Sequence, residues 1–354
     1  MATLYISNEV RVFLETSGGL YYELVVAPGF TFNQNSTSED ISATTMPSTT
    51  IPQRIASNKV VEKIKTEFEP ATWSLTTFVR PVTSGSGAGD THQILWSHFL
   101  DNNALTNSSA HTESLGHNTD FSFNSGGSLG LFNLYFKFPA GDTFKVSNCA
   151  INSAAISMEL GSVTSIQWEG FGTSLDSVAS FSVPGTIQNS AKIASTSSYA
   201  INKLSSVAYT GVNFTLSEFS HPMISGSVSL TNNITPISYP ILGEVTKPFA
   251  FEKGIPAATG SFSGYLEGID TETKSKKFTK DLRDSVDPIV EIDIRAGSAT
   301  TKSNIHINIP FAYVDTPALS TEGAFSFSVN FSSCVDGSFI TNSTNNTAYK
   351  VYYS

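Results

Sequence analysis

The chain has 354 residues and a formal charge of −10, and only 14% of its residues are charged. That balance excludes a protein that grips nucleic acid through its phosphates, which takes a basic surface, and the wealth of Ser, Thr, Asn and Gly points to strands and turns rather than long helices. No apolar run reaches the length of a membrane span, and MATLYISNEVRVF offers neither a basic n-region nor an apolar h-region, so a reducing cytoplasm with Cys149 and Cys334 as thiols is the expectation.

Residues 1–195 hold 9 basic and 16 acidic residues, for −7, and residues 196–354 hold 11 and 14, for −3, so neither half is a nucleic-acid binder by charge. A first strand is expected over 10–15 and a second over 21–33, interrupted by the turn signal Pro28-Gly29. Residues 36–66 read as a long polar arm. Residues 67–79 then alternate, with Thr72, Ser74 and Thr76 on one face and Trp73, Leu75 and Val79 on the other. The glycine-rich SGSGAG at 84–89 lacks the Lys and Ser/Thr of a phosphate loop and reads as a turn. Asp90 can cap a helix over 92–100, with Gln93 three residues on. A polar excursion follows at 101–128, then a strand over 132–138.

The stretch 145–172 is an apolar/polar alternation folded into a hairpin. Ile156, Met158 and Leu160 stand against Ser157 and Glu159, and Ile166 and Trp168 against Gln167 and Glu169. A variant returns at 302–331, with Asn148, Ile151 and Asn152 falling on Asn304, Ile307 and Asn308 at an offset of 156, and Phe325, Phe327, Val329 and Phe331 forming the apolar row. Earlier segments repeat as well. Phe32 to Asn35 falls on Leu230 to Asn233, TWSLTTF from Thr72 on TGSFSGY from Thr259, and Phe132 to Phe136 on Val290 to Ile294. A second helix is expected over 279–286, ended by Pro288. The reading is a mainly β protein with one short helix per half: a first domain at 1–175, a Ser/Ala/Thr-rich linker at 176–198 and a second domain at 199–354.

Chemistry-bearing constellations are missing. His92, His98, His111 and His117 have no i,i+4 partner and no completing Cys or carboxylates, so no metal is expected. No G-x-S-x-G elbow is present and neither cysteine has a histidine in its own motif, so no enzyme and no cofactor are expected. Lys274, Lys276, Lys277, Lys280 and Arg283 are interleaved with Asp281 and Asp284 and read as a solvated helix face.

The order strand, strand, arm, strand, helix, strand, hairpin, laid down twice, resembles that of bacteriophage tail tube proteins, with the duplicated tube proteins of tequintavirus-type siphophages as the nearest likeness. The resemblance is carried by ATWSLTTFVRP at 71–81, ILW at 94–96 and CAINSAAISMELGSVTSIQWEGFGTSL at 149–175, with INKL at 201, LTNNIT at 230 and HINIP at 306. It implies two tandem half-barrel β-sandwich domains whose sheets join a continuous inner β-barrel. It also implies threefold, pseudo-hexameric rings stacked into a virion tube that conducts genomic DNA to the host. The partners it implies are further copies of the chain, a tape measure protein and double-stranded DNA in the lumen without specific binding, and tail terminator and baseplate or tip proteins, with no membrane. Duplicated relatives carry an immunoglobulin-like decoration at the C-terminus. With the sequence stopping at Ser354, host attachment through one is not expected.

On this resemblance the lumen-facing residues are Thr31, Asn33, Thr72, Ser74, Thr76, Ser157, Glu159, Gln167 and Glu169 in the first half, and Ser229, Thr231, Ser261, Ser263, Ser326 and Ser328 in the second. The arm carrying Ser36, Thr50, Arg54, Lys59 and Thr66 is expected to meet a neighbouring subunit or ring. The alternative is a capsid decoration protein or a carbohydrate-binding β-sandwich, for which Ser/Thr/Asn-rich strands would also serve.

Overall fold

Alternation along the chain becomes ladder pairing, and the computed structural model is built almost wholly of antiparallel strands. It describes residues 9–44, 59–79, 93–99, 129–139, 141–179, 181–187, 206–211, 219–238, 245, 247–265, 282–285, 288–298, 303–320, 325–334 and 349–353. The first run comprises β1 (Arg11–Thr16), β2 (Tyr21–Leu24), β3 (Thr31–Asn33), β4 (Ser36–Thr44), β5 (Lys59–Phe68), β6 (Ala71–Phe78), α1 (Gln93–Phe99), β7 (Phe132–Lys137), β8 (Thr143–Glu159), β9 (Ser165–Gly172) and β10 (Ser174–Val178). The second comprises β11 (Ser206–Gly211), β12 (Phe219–Pro222), β13 (Ser225–Thr231), β14 (Thr235–Ser238), β15 (Pro248–Glu252), β16 (Ala257–Tyr265), β17 (Ile289–Ser298), β18 (Ser303–Val314), β19 (Ala318–Ser320), β20 (Ser326–Ser333) and β21 (Lys350–Tyr353).

The pairings of the first run recur in the second. β1 lies between β2 and β7 as β11 lies between β12 and β17. β8 takes β7 and β10 at its start as β18 takes β17 and β21. β6 joins β3 to β9 as β16 joins β13 to β20. Even an irregularity repeats: the β7–β8 register shifts between Phe132 and Leu134, and the β17–β18 register between Val290 and Ile292. The first bulge holds Asn148 at φ 48°, a left-handed conformation that Asn tolerates. Its N–H donates to Asn133 Oδ1 at 3.0 Å and its Nδ2 to Thr173 Oγ1 at 3.2 Å, so the kink leaves these donors satisfied.

These registers correct the repeat read from sequence. Phe132 pairs Cys149 where Val290 pairs Ala312, so Cys149 corresponds to Ala312 rather than Ile305, and the Asn/Ile motifs are not equivalent. A strand of alternating Ile and polar residues matches itself at many shifts, and a sequence overlay cannot see the bulge that fixes the true one. Likewise Phe32 opposes Trp73 as Val228 opposes Gly260, so Phe32 corresponds to Val228 and not to Leu230. The overlay of Thr72 on Thr259 agrees with the structure.

Three further expectations change. Residues 36–66 hold a two-stranded hairpin, β4 with β5, rather than a loop. The β-branched Val60, Val61 and Ile64 favour extended backbone, and a ribbon exposed at 37–39 and 63–66 needs no apolar row there. The segment read as linker from 176 begins inside β10, whose Leu175 pairs Val146. Farther along, Phe181 stacks on Tyr135 with ring centroids 4.4 Å apart. Phe325 is 59% exposed, although Phe327, Val329 and Phe331 of its row are buried. Of the capping arrangement, Asp90 lies outside the described residues, as do 279–281 and 286 of the second helix, whose turn at 282–284 buries Leu282.

The core lies between the central sheet and the elements that cover it. Trp96 meets Trp168 edge-on at 4.7 Å, and Phe99 packs against Trp168 at 6.2 Å and Tyr349 at 6.3 Å. Trp168 donates its Nε1–H to Thr77 Oγ1 at 2.9 Å, so both buried polar groups are partnered. Glycine is required on the same rung of each sheet half. A Cβ on Gly170 would stand 2.5 Å from Trp73 Cζ2 and closer still to the Ala150 carbonyl, and one on Gly260 would stand 2.5 Å from Phe331 Cζ. Trp73 pairs Gly170 on β6 and β9, and Gly260 pairs Phe331 on the equivalent β16 and β20. The large and small partners have changed strands between the halves.

Candidate functional site: an open sheet with a hydroxyl face

The surface that stands out is the uncovered side of the central sheet. Its strands run β3-β6-β9-β8-β13-β16-β20-β19, each antiparallel to the next, and the two halves join where β8 takes β13 along Ser153 to Glu159. Alternation places Trp73, Leu75, Ile156, Met158, Ile166, Trp168, Val228, Leu230, Phe262, Phe327 and Val329 on the covered side, where each is buried. The opposite side is left to their neighbours in sequence.

All the residues assigned to a lumen by resemblance lie on that opposite side, exposed or half-buried. They form cross-strand rows, since paired residues share a face. One row runs Thr31, Ser74, Glu169, Ser153, Thr231; another runs Ser157, Ser227, Ser261, Asn330. Serine hydroxyls meet across the strands, Ser225 with Ser263 at 2.7 Å and Ser227 with Ser261 at 3.2 Å. Gln167 Nε2 donates to Glu169 Oε1 at 2.8 Å and to Ser74 Oγ at 3.4 Å, and Ser153 Oγ donates to Glu169 Oε2 at 3.5 Å. Among the described residues of these strands, the charged side chains on this face are Glu159 and Glu169, and no Lys or Arg accompanies them. The middle of the face is hollowed by about 370 Å³, lined by Thr76, Ala155, Ser157, Gln167 and Ser229 among others. A hollow of small hydroxyls, on a face whose charges are two carboxylates, offers nothing that holds a polyanion.

Sequence reasoning passed over Ser153, Ser225, Ser227 and Thr259 on the same face, and left Ser165 and Asn330, which alternation sets on the polar side, out of the lumen assignment. It also passed over the clamp at the junction. Asn152 accepts the Asn232 N–H on its main-chain oxygen and the Ile234 N–H on Oδ1, both at 2.8 Å. Buried Asn232 donates Nδ2 to the carbonyls of Phe99 at 2.9 Å and Ile151 at 3.2 Å, tying the end of α1 to the seam between the halves.

Of the arm residues, Ser36, Lys59 and Thr66 lie in the β4–β5 hairpin, while Thr50 and Arg54 lie outside the described residues. At the base of that hairpin Lys65 stands over the Phe68 ring at 5.4 Å and Lys247, from the approach to β15, at 5.5 Å, so the hairpins of the two halves converge there. Burial pushes His98 below its ordinary range, against an opposing hydrogen bond to the Gly130 carbonyl at 2.7 Å. The ring is therefore neutral, donating from Nδ1, with Nε2 buried and unpartnered. It packs on Phe132 at 4.9 Å as a core histidine. Among the described residues no group of three or more His, Cys, Asp or Glu could hold a metal, and no helix is long and apolar enough to cross a membrane.

No family model matches the sequence. Over 315 residues the chain is 23% identical to the tail tube protein pb6 of Escherichia phage T5. The chain is similar to a phage tail tube protein. The match covers 83% of this chain and 65% of pb6, so the tail-tube likeness takes in both runs of strands but under two thirds of the relative's own length.

Proposed function

We propose that the protein is a virion structural component, the tail tube subunit of a phage, and that copies of it close into rings whose stacked central sheets conduct DNA. The observation that carries this reading is the central sheet itself, sealed by a core on one side, lined by hydroxyls on the other, and bounded among the described residues by β3 and β19. An isolated sheet with two free edges is an aggregation hazard, and closure into a ring removes both edges without another protein. The similarity to pb6 supports the same reading over that of a decoration or sugar-binding module.

Each chain then acts as two tandem tube domains, supplying eight strands to the barrel, β3, β6, β9, β8, β13, β16, β20 and β19. Three chains give a pseudo-sixfold ring. Strands about 4.8 Å apart make it about 37 Å across if upright and about 48 Å across at a 40° tilt, wide enough for a DNA duplex. Phosphates meet Thr and Ser hydroxyls and the carboxylates of Glu159 and Glu169, so DNA slides without sticking. The role is mechanical rather than catalytic, and the protein works in the virion tail. Terminator, tape measure and tip proteins are the partners this role requires, and the arms reach between rings.

Electron microscopy of the purified protein tests the assembly. Class averages are expected to show tubes of rings with three chains each; rings of six whole chains, or a protein that forms no rings, would overturn it.

A further inference from the structure

The two halves of the chain meet edge to edge at one ladder, β8 with β13 along Ser153 to Glu159. On the covered side of that seam lies α1. At 7 residues it cannot hold itself, since isolated helices below about 12–15 residues are marginal in water, so its neighbours hold it. The first half supplies Trp168, which meets Trp96 and Phe99 edge-on, and the Gly130 carbonyl, which accepts from His98. The second half supplies two further holds. Asn232 Nδ2 donates to the Phe99 carbonyl, one of the acceptors a helix end leaves without an internal partner, and the Tyr349 ring stacks on Phe99 with an interplanar angle of 24°. Asn232 and Tyr349 are both 0% exposed.

Tyr349 leads directly into β21, which is bound to β18 from Asn308 back to Ile305. β10, the counterpart of β21, sets Asp176 against Lys145 where β21 sets Lys350 against Asn308, so Leu175 holds the place of Tyr349 in the first half, and it is only half-buried. The large ring belongs to the strand that reaches into the other half. We infer that Tyr349 and β21 form a clasp: seated on Phe99, they hold α1 across the seam, and α1, Asn232 and β21 let go together. A helix of the first half is completed by a side chain 250 positions farther along, from Phe99 to Tyr349, and the covered side of the seam closes only when both halves are in place. The clasp works within one chain, whether or not copies assemble.

Native-state hydrogen exchange on the full chain, read by mass spectrometry in rising urea, tests the clasp. Peptides covering 93–99 and 349–353 come from different halves, yet they are expected to follow one urea dependence, opening before β1 and β7 do. Tyr349→Ala is expected to speed exchange over 93–99 by about tenfold or more, while β11 and β17, in the half that carries the substitution, change by less than about twofold. Tyr349→Leu, which copies Leu175, keeps the site apolar should the alanine chain fail to fold, and the same order is expected of it. Separate urea dependences for 93–99 and 349–353 in the parent would overturn the clasp. So would exchange over 93–99 that stays at the parent's rate in the variants, or that rises equally in both halves.

Discussion

Replacing Gly170 with alanine probes the tightest contact in the sheet. The added methyl meets two obstacles, the Trp73 ring at 2.5 Å and the carbonyl of Ala150, one a side chain and the other main chain. Overpacking of this kind costs about 1–3 kcal/mol. Trp73→Ala empties a site only 2% exposed and is expected to cost about 3–5 kcal/mol. In the double variant the ring is gone but the carbonyl remains, so relief is partial. The expected coupling is about 1 kcal/mol in favour of the double variant, within the range for touching residues. At about 2–4 °C per kcal/mol for a unit of 150–250 residues, Gly170→Ala should melt several degrees below the parent, and the double variant a few degrees above the sum of the singles. Circular dichroism melts of the four proteins measure this. A Gly170→Ala melt matching the parent, or strict additivity, would show that Trp73 does not cover Gly170.

Other outcomes follow from single features. His98 is held neutral by burial, so the unfolded chain binds its proton first as pH falls below about 6.5. Stability is therefore full above that value and declines beneath it with a slope approaching about 1.4 kcal/mol per pH unit. Urea midpoints from pH 8 to 5 should fall for the parent and fall less for His98→Phe; equal slopes would count against it. Asn148→Ala, at a left-handed position, should cost about 1–2 kcal/mol while Asn148→Gly melts near the parent; the reverse order would contradict the bulge. Glu159→Lys with Glu169→Lys should leave tubes intact and slow DNA ejection in a salt-dependent way, and unchanged ejection at low ionic strength would mean that these carboxylates do not face the channel.

Where a strand has one covered face, its sequence declares it, which is why alternation alone sets Trp73, Leu75, Ile156, Trp168 and Val329 against Thr72, Ser74, Ser157, Glu169 and Ser328. Partner choice is another matter. Nothing local in Ser153 to Glu159 says that its second edge belongs to β13, some seventy residues on, because a ladder is written in backbone atoms common to all residues. The repeat was visible but misaligned for the same reason: Ile305, Ile307 and Ile309 fit the first hairpin at several shifts, and only the bulges at Asn148 and Pro310 choose among them. The arm hairpin is not legible because strands exposed at 37–39 and 63–66 carry no apolar row there.

The exchange of large and small partners between β6–β9 and β16–β20 bears on how a chain with two look-alike halves avoids tangling as it is made. If β6 captured β20 while folding, Trp73 would be set against Phe331, two rings competing for one slot. If β16 captured β9, Gly260 would face Gly170 and leave a hole. Each wrong pairing is penalised at the same rung, whereas each right one puts a single ring over a single glycine. Had both halves kept the same arrangement, crossed and correct pairings would look alike to the backbone. Size complementarity at one rung thus acts as a sorting code during synthesis, when misassembly between similar domains is the characteristic failure.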